Sequence, residues 1–300
     1  METTGRTSHN GKWALVALFF LIIFGILWYS VFSAPSGATS SVMIHVTRNE
    51  SVTEIADELS AKDAIRYPLV LKALISFFKS DKQIAQGDYL FAAGEPVYGI
   101  AWQIASSRHD VLPLKITLKE GITDAQIANQ LSAQLPDFNQ DAFLGDPQVK
   151  QGYLFPDTYF FFPLTTTQEV VDELTSNFTK KITALSSDIN ASGKSESDII
   201  IMASLVEKEA EGKDDAPTIA GILWKRIALG MPLQVDAAPA TYTQKGLPNE
   251  PIDNPGLVSI DAALHPVDSP YLFYLHDKNG MVHYATTFAE HKANIARYLQ

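Results

Sequence analysis

The sequence predicts an α+β chain behind a single N-terminal transmembrane helix. Three observations carry that prediction. Residues 13–33 form an uncharged apolar run. Two later segments open with period-two alternation and continue with helical periodicity, the order of a strand followed by a helix. At 300 residues the chain exceeds what one hydrophobic core usually organises, so two modules are expected beyond the apolar run. Composition excludes several kinds of chemistry. With 23 Lys and Arg against 34 Asp and Glu, the net charge of -11 repels phosphate backbones, and nucleic acid is not an expected partner. The absence of cysteine rules out disulfides, thiolate zinc sites and cysteine nucleophiles. Neither a metal nor a cofactor is expected.

Residues 1–12 carry Arg6 and Lys12, and Trp13–Ser33 reads WALVALFFLIIFGILWYSVFS. As a helix such a run covers roughly 30 Å, the hydrocarbon thickness of a bilayer. Trp13, Trp28 and Tyr29 lie toward its ends, where amphipathic rings favour the interface, and no Lys or Arg follows until Arg48. That asymmetry predicts a cytoplasmic N-terminus, with all that follows on the outer side of the cytoplasmic (inner) membrane. A cleaved signal peptide would have a shorter apolar region and a small residue before the cut; Phe32 and Pro35 fit that pattern poorly. Residues 34–41, APSGATSS, read as a linker.

Residues 42–112 read as a small β-α-α-β subdomain. MIHVTRN alternates like a strand, Ser51 and Glu54 make a capping box for SVTEIADELSA, and YPLVLKALISFF continues as an apolar-faced helix. Asp88–Phe91 returns as a strand before a helix over Val97–Ser106. Such a unit resembles a LysM-like glycan-binding module; a spacer that only holds the next module at a set height has the same pattern. Residues 113–300 form the second, mixed α+β module. Leu114, Ile116 and Leu118 alternate, Gly121 turns the chain, and Thr123 caps a helix with Ile127 and Leu131 inward. Aromatic residues crowd the stretch from Tyr153 to Phe162, suiting either a core or the wall of a sugar cleft, and a helix is expected over Glu169–Leu185.

The next helix carries the candidate acid. Ser195 and Asp198 cap IIIMASLVEKEA, and Gly212 is expected to end it in a left-handed conformation. At 100° per residue Ile199, Met202, Ala203, Val206 and Ala210 share one apolar face, with Glu207 and Glu209 flanking it on opposite sides. Glu209 lies beyond Met202 and Leu205 and nearer the negative end of the helix dipole, so it is expected to be the more desolvated. Both effects raise a carboxyl pKa toward the range where it can protonate a leaving group near neutral pH. Glycosidic bond cleavage needs such an acid. A VEKE string is equally what a solvated helix face looks like, and the residues alone leave both readings open.

The motifs Gly152-Tyr-Leu-Phe-Pro-Asp-Thr-Tyr159, Ala203-Ser-Leu-Val-Glu-Lys-Glu209, Gly230-Met-Pro-Leu-Gln234, Gly246-Leu-Pro248, Pro251-Ile252 with Asn254-Pro-Gly256, and Ala262-Ala-Leu-His-Pro266 follow one another in order. Tyr271-Leu-Phe-Tyr274, the strand around His283 and Glu290-His291 close the series. From the anchor to the C-terminus this order resembles the endolytic murein transglycosylase (YceG-like) family. The resemblance implies a single-pass inner-membrane protein with a LysM-like subdomain and a catalytic domain. It implies cleavage of nascent peptidoglycan strands between N-acetylmuramic acid and N-acetylglucosamine, leaving a 1,6-anhydro end, and penicillin-binding proteins or other cell-wall synthesis proteins as partners. It puts the catalytic acid/base at Glu209, with Glu207 as a possible second carboxylate. Gln234, Tyr153, Tyr159 and Tyr242 become the expected substrate-binding groups.

The chain departs from the family pattern in two places. Gln151 stands where the family usually has a glutamate, and the 235–245 loop is short, with Ala240-Thr-Tyr242 in place of an Asn-Thr-Tyr element. The short loop makes a non-catalytic glycan-binding scaffold the alternative, which turnover on purified strands separates from an enzyme. A pyridoxal-phosphate lyase is disfavoured by the anchor and by the lack of a lysine beside a phosphate-cradling glycine loop.

Overall fold

The computed structural model describes residues 9–33, 40–79, 83–210 and 214–299. Most of the expected linker, Arg6 and Gly212 lie outside these residues. The chain divides into two compact units, one of Met1–Pro113 with Phe162–Thr165 and the other of Leu114–Phe161 with Thr166–Gln300.

The first unit begins with helix α1 (His9–Phe32), whose Trp13–Phe32 stretch has a mean hydropathy of 2.6 and, Ser30 apart, is not buried within the protein. It is long and apolar enough to cross a membrane. Strand β1 (Val42–Val46) is followed by α2 (Val52–Ala61), α3 (Pro68–Phe78), β2 (Gly87–Phe91) and α4 (Val97–Ala105). The strands pair antiparallel with Val42 opposite Phe91, and the capping box of Ser51 and Glu54 opens α2 as the sequence predicts. Ile44, Ile55, Leu59, Leu71, Ile75 and Tyr89 pack between the strands and helices. Phe162–Thr165 joins this unit because the buried Asp88 carboxylate accepts the Leu164 N–H at 2.8 Å while the Phe162 ring packs at a tilt against His109.

In the second unit β3 (Leu114–Thr117), α5 (Asp124–Ser132) and α6 (Gln140–Gly145) precede β4 (Thr158–Phe161), which pairs antiparallel with β3. The chain continues through α7 (Thr167–Ala184), α8 (Ser186–Ser192), α9 (Glu196–Glu209), α10 (Ala216–Ala228) and α11 (Leu257–Leu264). It ends with β5 (Phe273–His276), β6 (Val282–Ala285) and α12 (Phe288–Tyr298). Two cores form here. One gathers Ile116, Ile127, Leu131, Tyr159, Phe161 and Leu174 around the β3-β4 ladder. The other surrounds α9, which α10 and α11 enclose.

The structure corrects the reading of α9 as a one-faced helix. Every residue from Ile199 to Val206 is buried, Ser204 included, because α9 is the central helix of its core. Its C-cap is Ala210 in an extended conformation, so the helix stops before Gly212.

A side-chain hub accounts for several sequence motifs together. Asn254 is fully buried, and its amide oxygen accepts the backbone N–H groups of both Gly152 and Leu154 at 2.9 Å. Its amide nitrogen donates to the Ile122 carbonyl and the Asp124 carboxylate. One asparagine thus stitches the GYLFPDTY turn, the Gly121 turn and the Asn254-Pro-Gly256 segment. Gly152 has φ +92°, and a Cβ there would lie 2.5 Å from Pro251, which explains why glycine faces proline at this crossing.

Candidate active site

The last turn of α9 projects three consecutive charged side chains in different directions. Glu207 accepts the Gly256 N–H at 3.0 Å. Lys208 donates to the Gly121 carbonyl at 2.6 Å and lies 3.4 Å from the fully buried Asp253 carboxylate. These two residues bind the helix end to the turns beneath it. Glu209 points elsewhere, into a cleft of roughly 490 Å³ that it shares with Gln234, Asp236, Tyr242, Tyr274 and His276. The separation of the two glutamates follows from helical geometry, since residues two apart lie about 200° around the axis. It answers the sequence expectation that both could lean into one cleft: only Glu209 does.

Both oxygens of the Glu209 carboxyl are engaged. The Tyr274 hydroxyl donates to one at 2.7 Å, and the Asp236 N–H donates to the other at 3.3 Å. Burial raises the Glu209 pKa above the usual carboxylate range, and the nearby Asp236 charge adds to it; the two hydrogen bonds and His276 pull the other way. The net direction is upward. Tyr274 is itself pushed well above its ordinary value, first by burial and then by the Glu209 charge, so it stays a phenol and a standing donor. The arrangement is a partly desolvated carboxyl that keeps its proton to higher pH than an exposed one and is still stabilised when it gives that proton up.

Sequence order explains how distant residues meet here. The Gly230-Met-Pro-Leu-Gln234 motif leads into a loop in which Thr241 does the stitching: its hydroxyl accepts the Val235 N–H at 2.9 Å and donates to the Ala238 carbonyl at 2.6 Å. The Thr241 carbonyl accepts the Gln234 N–H at 3.1 Å, and Gln234 takes φ +56°. The short 235–245 loop therefore closes on itself, bringing the Tyr242 hydroxyl onto the Asp236 carboxylate. Beneath, the buried Arg226 guanidinium donates to the carbonyls of Leu233 at 2.6 Å and Leu272 at 2.8 Å and lies over the Phe273 ring. It thereby ties the loop that bears Gln234 to the strand that bears Tyr274. His291 completes the far wall, and burial beside the Arg226 charge holds its pKa below the ordinary imidazole value.

Of the residues singled out from sequence, Glu209, Gln234 and Tyr242 line the cleft. Glu207, Tyr153 and Tyr159 do not. Tyr153 packs against the α9 core with its ring 5.0 Å from Phe178. Tyr159 is 4% exposed within the β3-β4 core, donates to the Phe155 carbonyl at 2.5 Å and accepts from Asn177 at 3.0 Å. Both rings serve packing because the GYLFPDTY turn is drawn into the interior by Asn254. Gln151, where a glutamate was expected, accepts the Asp124 N–H at 3.2 Å and so acts at the foot of α5. Sequence reasoning missed Arg226, Asp236, His276 and Tyr274 as cleft residues; Tyr274 and His291 stood inside quoted motifs, but nothing in their spacing tied them to α9.

Comparison with known proteins gives a consistent result. A family model described as the YceG-like family matches residues 44–239 and 240–297. A protein of Bacillus subtilis (strain 168) named endolytic murein transglycosylase is 27% identical over 311 aligned residues, covering 87% of this chain and 85% of that protein. One of the same name from Streptococcus pneumoniae serotype 2 is 26% identical over 209 residues, covering 59% of this chain and 38% of the longer relative. The crystal structure of a YceG-like protein from Listeria monocytogenes superposes with a TM-score of 0.55 at 23% identity, covering 84% of this chain and 98% of that one. That last likeness concerns the fold.

Proposed function

The chain belongs to the YceG-like family, and on that footing we propose that it is a membrane-anchored endolytic lytic transglycosylase of peptidoglycan with Glu209 as its acid/base. The observation that carries the assignment is the Glu209 carboxyl, half-buried in the wall of a cleft, raised in pKa and held by Tyr274 and the Asp236 N–H. One carboxyl group suffices for the reaction. Protonated Glu209 gives its proton to the glycosidic oxygen as the bond to the anomeric carbon of N-acetylmuramic acid breaks. The sugar's own 6-hydroxyl oxygen then closes on that carbon, and its proton passes to the Glu209 carboxylate. The products are a free N-acetylglucosamine hydroxyl and a 1,6-anhydro-muramic end, and the carboxyl group is restored. Tyr274 and the Asp236 N–H stabilise the carboxylate that exists between the two transfers. Gln234 and Tyr242, exposed on the rim, supply an amide and a phenol suited to sugar hydroxyls and acetamides.

The wider reading has α1 as a single-pass anchor in the inner membrane, N-terminus cytoplasmic, with both units on the outer side. The 42–112 unit is assigned as a LysM-like module that helps hold the strand, and penicillin-binding proteins or related synthases are the expected partners. Glu209→Gln keeps size and most hydrogen bonding but cannot transfer a proton. It is expected to lower turnover on purified glycan strands by about 10²–10⁴-fold with melting temperature and strand binding preserved. Glu207→Gln, which only weakens a bond to Gly256, is expected to act on stability. Parent-like cleavage by Glu209→Gln would overturn the assignment and favour a non-catalytic scaffold.

A further inference from the structure

The first unit carries large apolar side chains on its surface that its own core does not use. Phe77 is 82% and Leu69 78% exposed, both on α3. They share a face, since residues eight apart fall about 80° from one another around a helix, and Ala73 lies between them. α3 is apolar on its inner side as well, where Leu71 and Ile75 enter the core. A helix apolar on its inner face and again along an outer stripe, at the surface of an acidic protein, needs an outer partner.

The contacts of α3 say where that partner lies. A continuous chain of rings runs from α1 to Phe77. Trp28 meets Phe32 at 4.5 Å between centroids, Phe32 stacks on Tyr98 at 5.4 Å, Tyr98 meets Phe78 edge-on at 5.4 Å, and Phe78 touches Phe77 at 5.7 Å. At the opposite end of α3, Arg66 donates to the Tyr29 hydroxyl at 3.3 Å. Both ends of α3 are thus tied to the last turn of α1, the level at which a membrane-spanning helix leaves the hydrocarbon. The charged residues on and immediately flanking α3 are basic: Arg66 and Lys79 flank it, and Lys72 lies within it, its ammonium 3.8 Å from the Asp57 carboxylate of α2.

We propose that α3 rests on the bilayer beside the anchor, with Phe77, Leu69 and Tyr98 in the interfacial layer and Arg66, Lys72 and Lys79 toward lipid headgroups. The inference rests on reading α1 as a membrane anchor. Aromatic rings at the headgroup level and basic residues facing anionic lipid are what such a layer selects. The first unit is then a foot fixed to the membrane surface.

Because the chain has no cysteine, single-cysteine variants of the full-length protein report on this cleanly. Phe77→Cys and Leu69→Cys, both at exposed positions, would carry an environment-sensitive fluorophore in vesicles of phosphatidylethanolamine and phosphatidylglycerol containing nitroxide-labelled lipid. Phe24→Cys in mid-anchor and Leu112→Cys, 87% exposed in the same unit, are the references. The expected result is several-fold stronger lipid quenching at Phe77 and Leu69 than at Leu112, alongside strong quenching at Phe24. Quenching at Phe24 with Phe77 and Leu69 equal to Leu112 would overturn the proposal and leave the anchor standing. No quenching at Phe24 would remove the anchor and the proposal with it. Shielding of Phe77 by added glycan strands, without lipid quenching, would make this a sugar-binding face and overturn the lipid assignment.

Discussion

Tyr274 is the residue on which the acidity of the site turns. Its hydroxyl stabilises the ionised form of Glu209 and so lowers a pKa that burial has raised. Removing that hydroxyl leaves the burial in place, so Tyr274→Phe should move the Glu209 pKa further up. Activity depends on a protonated Glu209 at the first transfer and is lost as pH rises through that pKa. The alkaline limb of the pH-rate profile is therefore expected at higher pH in Tyr274→Phe than in the parent, with a reduced plateau because the carboxylate between transfers has lost a donor. A limb that stays put or moves down would show that Tyr274 does not act on Glu209. Tyr159 supplies the contrast. Its hydroxyl satisfies the buried Phe155 carbonyl and the half-buried Asn177 amide and does not line the cleft, so Tyr159→Phe is expected to cost about 1–3 kcal/mol of stability and to leave the turnover of folded protein unchanged. Thermal melting and a rate assay on the same sample separate these effects.

Among the elements, those with strong local signals were readable. The capping box at Ser51, the N-cap at Thr123 and the alternation at Leu114–Leu118 announced α2, α5 and β3, because cap chemistry and pleat periodicity are written within a few residues. The end of α9 was half readable. Helical spacing separated Glu207 from Glu209 and identified the more desolvated of the two, but the burial of Ile200, Ile201 and Leu205 comes from α10 and α11, which no local pattern reveals. The roles of Tyr153 and Tyr159 were hidden for the same reason: an aromatic run looks alike in a core and in a sugar cleft, and the choice is made by Asn254, roughly a hundred residues away. That hub is open to test. Asn254→Ala strands the Gly152 and Leu154 N–H groups in a dry interior at about 1–3 kcal/mol each. A clear fall in melting temperature is expected, larger than for Glu207→Gln; an unchanged melting temperature would show that the hub is not needed.

At the scale of the whole molecule, the proposed function sets α1 as an anchor and the two units to work on a peptidoglycan strand outside the membrane. The anchor reading predicts that external protease acting on spheroplasts removes the region beyond residue 40, and complete protection would reverse the proposed topology. The acidic balance of the chain fits a neutral or sugar-like ligand better than a nucleic acid, and among the described residues lining the cleft the carboxylate beside Glu209, Asp236, is taken up by Tyr242. In the proposed reaction the chemistry finishes with the sugar's own hydroxyl. Mass analysis of the fragments released from purified glycan strands tests that claim most directly. The account predicts muramic ends lighter by one water than hydrolysed ends, formed by the parent and not by Glu209→Gln; reducing muramic ends, or identical products from both proteins, would contradict it.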